Sequence, residues 1–287
     1  MPTPHGIPLG PGPRPSTGGE LAARLRAAAT ASLTGLPFSG LDTAVVDAEL
    51  DGADIVSLSI DLSGVEIDLP AVDSGIEPAG GTPSPEASRT GGELRSGRIQ
   101  AHPAVLAGAP VDLDVRLSRL RIAWIERTDG TTDLDAGDDD LEAMSGSAEI
   151  SIGHEHLPAI ATVVLNTALA DAGASVSDVA ITIASAGEDA GALDATAKAR
   201  YGVMSASVRL QAQLRIVDGR RMQLTGVDLS TKNLLAGALL GLARGELEKL
   251  EGQEFDLVEL LPAGVRDPRV HLDVGSEAVS ITASFGG

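Results

Sequence analysis

Residues 208–229 read VRLQAQLRIVDGRRMQLTGVDL. Val208, Leu210, Leu214 and Ile216 alternate with Arg and Gln, the period-two pattern of a strand with one apolar face. Asp218-Gly219 marks a hairpin turn. On the return, Met222 and Leu224 hold one phase and Val227 and Leu229 the other, with Gly226 between them. Side chains alternate strictly along a strand, so a phase flip requires a bulge, a bend or a passage between two environments.

The same flip recurs at three other places. Val56, Leu58, Ile60 and Leu62 give way to Val65, Ile67 and Leu69 across Gly64. Val111, Leu113, Val115 and Leu117 give way to Leu120, Ile122 and Trp124 around Ser118 and Arg119, and Val270, Leu272 and Val274 to Val279 and Ile281 after Gly275. Strands of about 12 to 16 residues, against a usual length of about 5 to 6, predict a strongly bent sheet.

Helical spacing appears in three segments. Leu21, Leu25, Ala28, Ala29 and Leu33 mark a helix over 20–33. Pro158 opens a second over 157–170, with Leu157, Ile160, Ala161, Val164 and Ala168 on one face. A third spans about 233–250, apolar at its start (Leu234, Leu235, Leu239, Leu240, Leu242), with small residues that allow close approach. The expected class is α+β, a long, bent antiparallel β-sheet wrapped around helices. The closely spaced prolines of residues 1–19 predict a disordered tail, and residues 20–287 a single domain. Within it, 70–92 and the acidic 129–146 read as surface excursions.

Composition excludes several functions. The 287 residues carry 41 Asp and Glu against 21 Lys and Arg, a formal charge of -20, so nucleic-acid backbones are repelled. With three Phe, one Tyr and one Trp, the chain has no stacking platforms and its interior must be aliphatic. Cysteine is absent, so no disulfide or thiolate chemistry exists. Residues 1–19 lack the apolar stretch of a secretion signal, and no run of about 18 apolar residues occurs. A cytoplasmic location, or one peripheral to a membrane, is expected.

No catalytic constellation emerges. His154-Glu155-His156 supplies two imidazoles where zinc needs three or four ligands, and it precedes Pro158, so a strand end or helix start is the plainer reading. A metal-dependent enzyme acting on lipid head groups through these three residues ranks third among the functional readings. Asp133, Asp135 and Asp138 to Asp140 lack the register of a calcium loop. There is no nucleophile elbow or phosphate-cradling glycine motif. His102 and His271 read as ordinary surface or strand residues. No cofactor is expected.

The C-terminal third carries a resemblance. Residues 214–235 (LRIVDGRRMQLTGVDLSTKNLL), a helix, a Leu-Pro-x-Gly turn at 261–264 and a final hairpin follow one another as in the actinobacterial LmeA-like phospholipid-binding proteins. Upstream, LDGADIVSLSIDLSGVEID and GRIQAHPAVLAGAPVDLDVRLSRLRI resemble that family's first half, so the likeness runs from about Leu41 to Phe285. The chain departs from it in lacking an evident leader or anchor and in its long 70–92 insertion. The resemblance implies a TULIP-like fold and non-catalytic binding or transfer of a phospholipid or similar lipid in envelope metabolism, with transient membrane contact. The cavity is then lined by Val56, Leu58, Ile60, Leu62, Ile160, Val164, Val208, Leu210, Leu214, Leu235, Leu239 and Leu242. A dry core would use the same aliphatic residues, which keeps a structural or protein-interaction module as the second reading.

Overall fold

A computed structural model describes residues 6–32, 38–67, 84–136, 144–170, 173–201, 204–231, 252, 254–260 and 266–286. In chain order the elements are β1 (Ile7–Pro11), α1 (Gly18–Ser32), β2 (Phe38–Ser39), β3 (Val45–Asp51), β4 (Asp54–Asp61), β5 (Glu66–Ile67), β6 (Glu86–Leu106), β7 (Ala109–Arg127), β8 (Thr131–Ala136) and β9 (Ser145–Gly153). After these come α2 (Leu157–Leu169), β10 (Ala174–Gly187), β11 (Ala190–Tyr201), β12 (Met204–Val217), β13 (Arg221–Thr231), β14 (Glu254–Asp256), β15 (Arg269–Val274) and β16 (Ala278–Phe285).

Two sheets form. An eleven-stranded sheet has the backbone order β15-β16-β9-β7-β6-β4-β3, and a five-stranded sheet the order β10-β11-β12-β13-β14. The α+β class holds, with two corrections. The large sheet is mixed, because β4 and β5 pair with β6 in parallel. Of the described helices only α1 is wrapped: it touches β1 and β3, the two ends of the run β1-β8-β7-β6-β4-β3, and shares one core with residues from each of these strands, whereas α2 lies along β10. The expected helix over 233–250 falls outside the described residues.

The phase flips resolve in three different ways. Gly226 sits at φ 61° where the β12–β13 register shifts, the expected bulge. Its hairpin turn has Asp218 at φ 55° and Gly219 at φ 64°, and the Arg220 N–H donates to the Val217 carbonyl, the backbone geometry for which Asp-Gly is suited. Arg119 takes φ 58° inside the unbroken β7, and there β7 changes partner, from β9 at Asp112–Ser118 to β8 at Ile122–Glu126. At Gly64 and Gly275, however, the strands end. Gly64 (φ 80°) separates β4 from β5, and the Gly275 N–H donates to Ala278, closing a hairpin between β15 and β16.

Other expectations are corrected by the backbone. Residues 7–11 are a strand antiparallel to β8, Leu9 is buried, and the Thr132 hydroxyl donates to the Gly12 carbonyl. Prolines are tolerated there because β1 is an edge strand that owes hydrogen bonds to one side only. Residues 86–92 begin β6 and pair with the end of β7. This segment with no apolar rhythm is held in place by its ladder and by polar side chains, Ser88 donating to Glu126 and Arg89 to Glu86 and Asp135. Residues 131–136 of the acidic stretch form β8, where buried Asp133 accepts 2.6 Å from Arg127 Nε. Asp138 to Asp140 and residues 70–83 lie outside the described residues.

The core of the large sheet gathers Leu9, Leu21, Ala22, Leu25, Val46, Ile55, Leu94, Ile122, Trp124 and Leu134 under α1. The Thr17 hydroxyl accepts from the Glu20 N–H, and the Glu20 carboxylate accepts from Ser16, the reciprocal pattern that starts helices. A crease crosses the sheet beside this core. Val56 is bulged out of the β3–β4 ladder, since Glu49 pairs with Ser57 and Leu50 with Ile55, and it lies abreast of Arg95 in β6 and Arg119 in β7. The bulge moves Ile55 rather than Val56 into the core.

Candidate apolar binding face

Beyond the crease the large sheet is divided cleanly by face. One row of cross-strand partners runs Val46, Ile60, Ile99, Val115, Ala148, Ala283, Val270. The next runs Ala101, Leu113, Ile150, Ile281, Leu272. Both are wholly aliphatic. The opposite face is as uniformly polar: Gln100, Asp114, Glu149, Thr282 and His271 form one such row. Antiparallel sheets segregate this way when one face is covered and the other meets water.

Coverage of the aliphatic face is uneven. Ala101 is buried at the β6 end and Val270 at the β15 end, but Ile150 and Ile281, side by side on central strands, are 45% and 41% exposed. The second sheet repeats the design. Ile181, Ala195, Leu210 and Leu229 form one row, and Thr182, Asp194, Gln211 and Asp228 the adjacent polar one. The two aliphatic faces meet at β15, where Val274 lies against Gly191. There the Asp189 carboxylate accepts from the Leu272 N–H at 3.1 Å, and the Val270 N–H donates to Gly219.

The sequence-derived cavity residues do not share one wall. Leu58 and Ile60 pack against the core beneath α1, and Val56 and Leu62 are half-buried nearby. Val208, Leu210 and Leu214 do share the aliphatic face of the second sheet, half-buried. Ile160 is half-buried on α2, whereas Val164 is exposed. Leu235, Leu239 and Leu242 are outside the described residues. Ile150 and Ile281 are absent from that set. The alternation in AEISIG and AVSITASF marks them as one face of a strand, but pairing alone sets them together.

A recess of about 170 Å³ touches Leu214, but Gln213, Arg215, Gln223 and Thr225 share it, and it is well short of the roughly 300 to 1,000 Å³ that ligand pockets occupy. No family model, curated protein or solved structure matches the chain.

His154 to His156 form a short helical turn leading into α2, with the His154 ring 3.0 Å from the Gly275 carbonyl. Among the described residues no three His, Asp or Glu are grouped to hold a metal. No described helix is long and apolar enough to cross a membrane.

The polar face is held by paired charges. Arg116 and Arg98 both donate to Asp114 and hold its carboxyl down to about 2. The Ser63 hydroxyl, the Gln100 amide and the Ser63 N–H do the same for Asp61. A carboxyl whose folded pKa is depressed adds stability above its unfolded pKa near 4 and loses it as pH falls through the folded value. The thermal midpoint is therefore expected to drop between about pH 4 and 2 through these groups. In Asp114→Asn a shallower acid limb, followed by circular dichroism, checks the assignment.

Proposed function

We propose that the protein is a non-catalytic binder of a lipid-like molecule, whose acyl chains lie against the aliphatic faces of its two sheets. The observation that carries this reading is the pair Ile150 and Ile281, large aliphatic side chains more than two-fifths exposed in the middle of a continuous apolar face. Exposed apolar surface of this kind marks a binding site, and each methylene it covers contributes about 0.8 kcal/mol. These cross-strand rows are aliphatic throughout, which favours a flexible chain over a flat ring as guest. In this reading the two sheets form the walls of a TULIP-like enclosure closed at β15, as the resemblance to LmeA-like phospholipid binders implies. Leu58 and Ile60, packed under α1, belong to the dry end, so the guest occupies the region of β7, β9, β16 and the second sheet.

Native mass spectrometry of gently purified protein, followed by organic extraction, is expected to release an amphiphile. Added phospholipid raises the melting temperature by mass action. A clean apo mass together with no uptake of fluorescent phospholipid overturns the proposal.

A further inference from the structure

The second sheet differs in charge from the rest of the chain. Strands β10 to β14 balance Lys198, Arg200, Arg209, Arg215 and Arg221 against Asp178, Asp194, Asp228, Glu254 and Asp256, although the whole chain is at -20. Asp194 is taken up by Arg209, which donates to it through Nε at 2.9 Å. Lys198 and Arg200 have no carboxylate partner among the described residues; the acidic group nearest in register is Asp178, at the irregularity between the Ser177–Lys198 and Ala180–Thr196 pairs. Next to Arg200 at the end of β11 stands Tyr201, the one tyrosine of the chain, half exposed and on the opposite, aliphatic side of the strand with Ala195.

Helix α2 is brought to this same end. Its thirteen residues, LPAIATVVLNTAL, contain no charge. Asn166 clamps it to the sheet, accepting from the Val176 N–H at 2.7 Å and donating to the Val176 carbonyl at 3.1 Å. Val176 pairs with Ala199, the residue between Lys198 and Arg200. Val164 and Leu165 are left 47% and 40% exposed. A surface helix normally carries polar residues on its outer side.

We propose that this end of the second sheet docks the protein on an anionic phospholipid bilayer, with Lys198 and Arg200 at the head groups, Tyr201 at the interface and the uncharged face of α2 against the apolar boundary. Each part has a preference for that place. Basic side chains are drawn to anionic leaflets, the amphipathic ring of tyrosine settles at the head-group level, and an uncharged helix face covers apolar surface. Over a Debye length Lys198 and Arg200 outweigh Asp178, while the net charge of the rest of the molecule is screened. This inference rests on the lipid-binding reading, since docking here sets the second sheet's aliphatic face beside the bilayer from which a guest is taken.

Flotation of the whole protein with phosphatidylcholine vesicles, with and without phosphatidylglycerol, tests it. Binding is expected only with phosphatidylglycerol and is expected to weaken in high salt. Lys198→Gln with Arg200→Gln lowers the partition about 25-fold, at about fivefold per basic side chain, and Tyr201→Ser lowers it further without a change in melting temperature. No flotation of the wild type, or undiminished flotation of the double variant, overturns the proposal. So does a wild-type dimer that Val164→Ser with Leu165→Ser converts to monomer, which assigns the helix face to a second copy. Uptake of a short-chain phospholipid from solution separates the two readings: uptake retained when flotation is lost supports docking as a distinct step, whereas flotation without uptake leaves docking standing and sinks lipid binding.

Discussion

Trp124→Ala is expected to cost about 3–5 kcal/mol, lowering the melting temperature by roughly 6 to 20 °C. Trp124 is 1% exposed at the centre of the core beneath α1 and is the largest side chain buried there. Its loss removes a filled volume that Leu21, Ile55, Leu94 and Leu134 cannot close over. It also removes a bond, because the indole Nε1 donates 2.7 Å to the Ala53 carbonyl in the β3–β4 turn. Trp124→Phe separates the two effects: it keeps most of the apolar volume and leaves that carbonyl unpaired, a loss of about 1–3 kcal/mol. The same carbonyl explains Gly92. A Cβ at Gly92 would collide with the Ala53 oxygen, so Gly92→Ala must push the turn away from the indole. Since both substitutions act through one carbonyl, their combined effect should fall short of the sum. Additive losses in denaturant titrations would show that Trp124 stabilises by volume alone.

Much of this architecture is legible in residues whose reason is local. The Asp218-Gly219 turn, the Gly226 bulge, the start of α2 at Pro158 and the phase change at Arg119 all follow from backbone preferences and period-two alternation. What was not legible depends on partners far away in sequence. Nothing in Gly64 or Gly275 distinguishes a strand end from a bulge; the carbonyls that the flanking amides reach decide it. Residues 7–11 and 86–92 have no apolar rhythm, and they become strands because β8 and β7 present unpaired ladders to them. Val56 reads as an inward residue by parity, and one bulge hands that role to Ile55. The candidate site follows the same rule. Val208, Leu210 and Leu214 share a face because they lie on one strand, whereas Ile150 and Ile281, separated by more than a hundred residues, meet only through the β9–β16 register.

That register permits the sharpest test of the binding face. Ile150→Lys combined with Ile281→Glu is expected to lower phospholipid uptake more than tenfold while leaving the fold intact. Both side chains are little more than two-fifths exposed, enough for the Lys and Glu stems to lie along the apolar surface with their charged ends in water. The two residues are direct cross-strand partners, so opposite charges placed there attract by about 0.2–1 kcal/mol and the formal charge of the chain stays at -20. For an acyl chain the consequence is different in kind. It must either strip water from two ions to lie across them or give up the centre of the face, and burying a charge without a matched environment costs far more than covering a few methylenes contributes. Fluorescent-phospholipid uptake and a thermal melt on the same sample give the answer together. Unchanged uptake with an unchanged melting temperature would mean that the exposed isoleucines are bystanders, and the guest, if there is one, would have to lie on the second sheet alone.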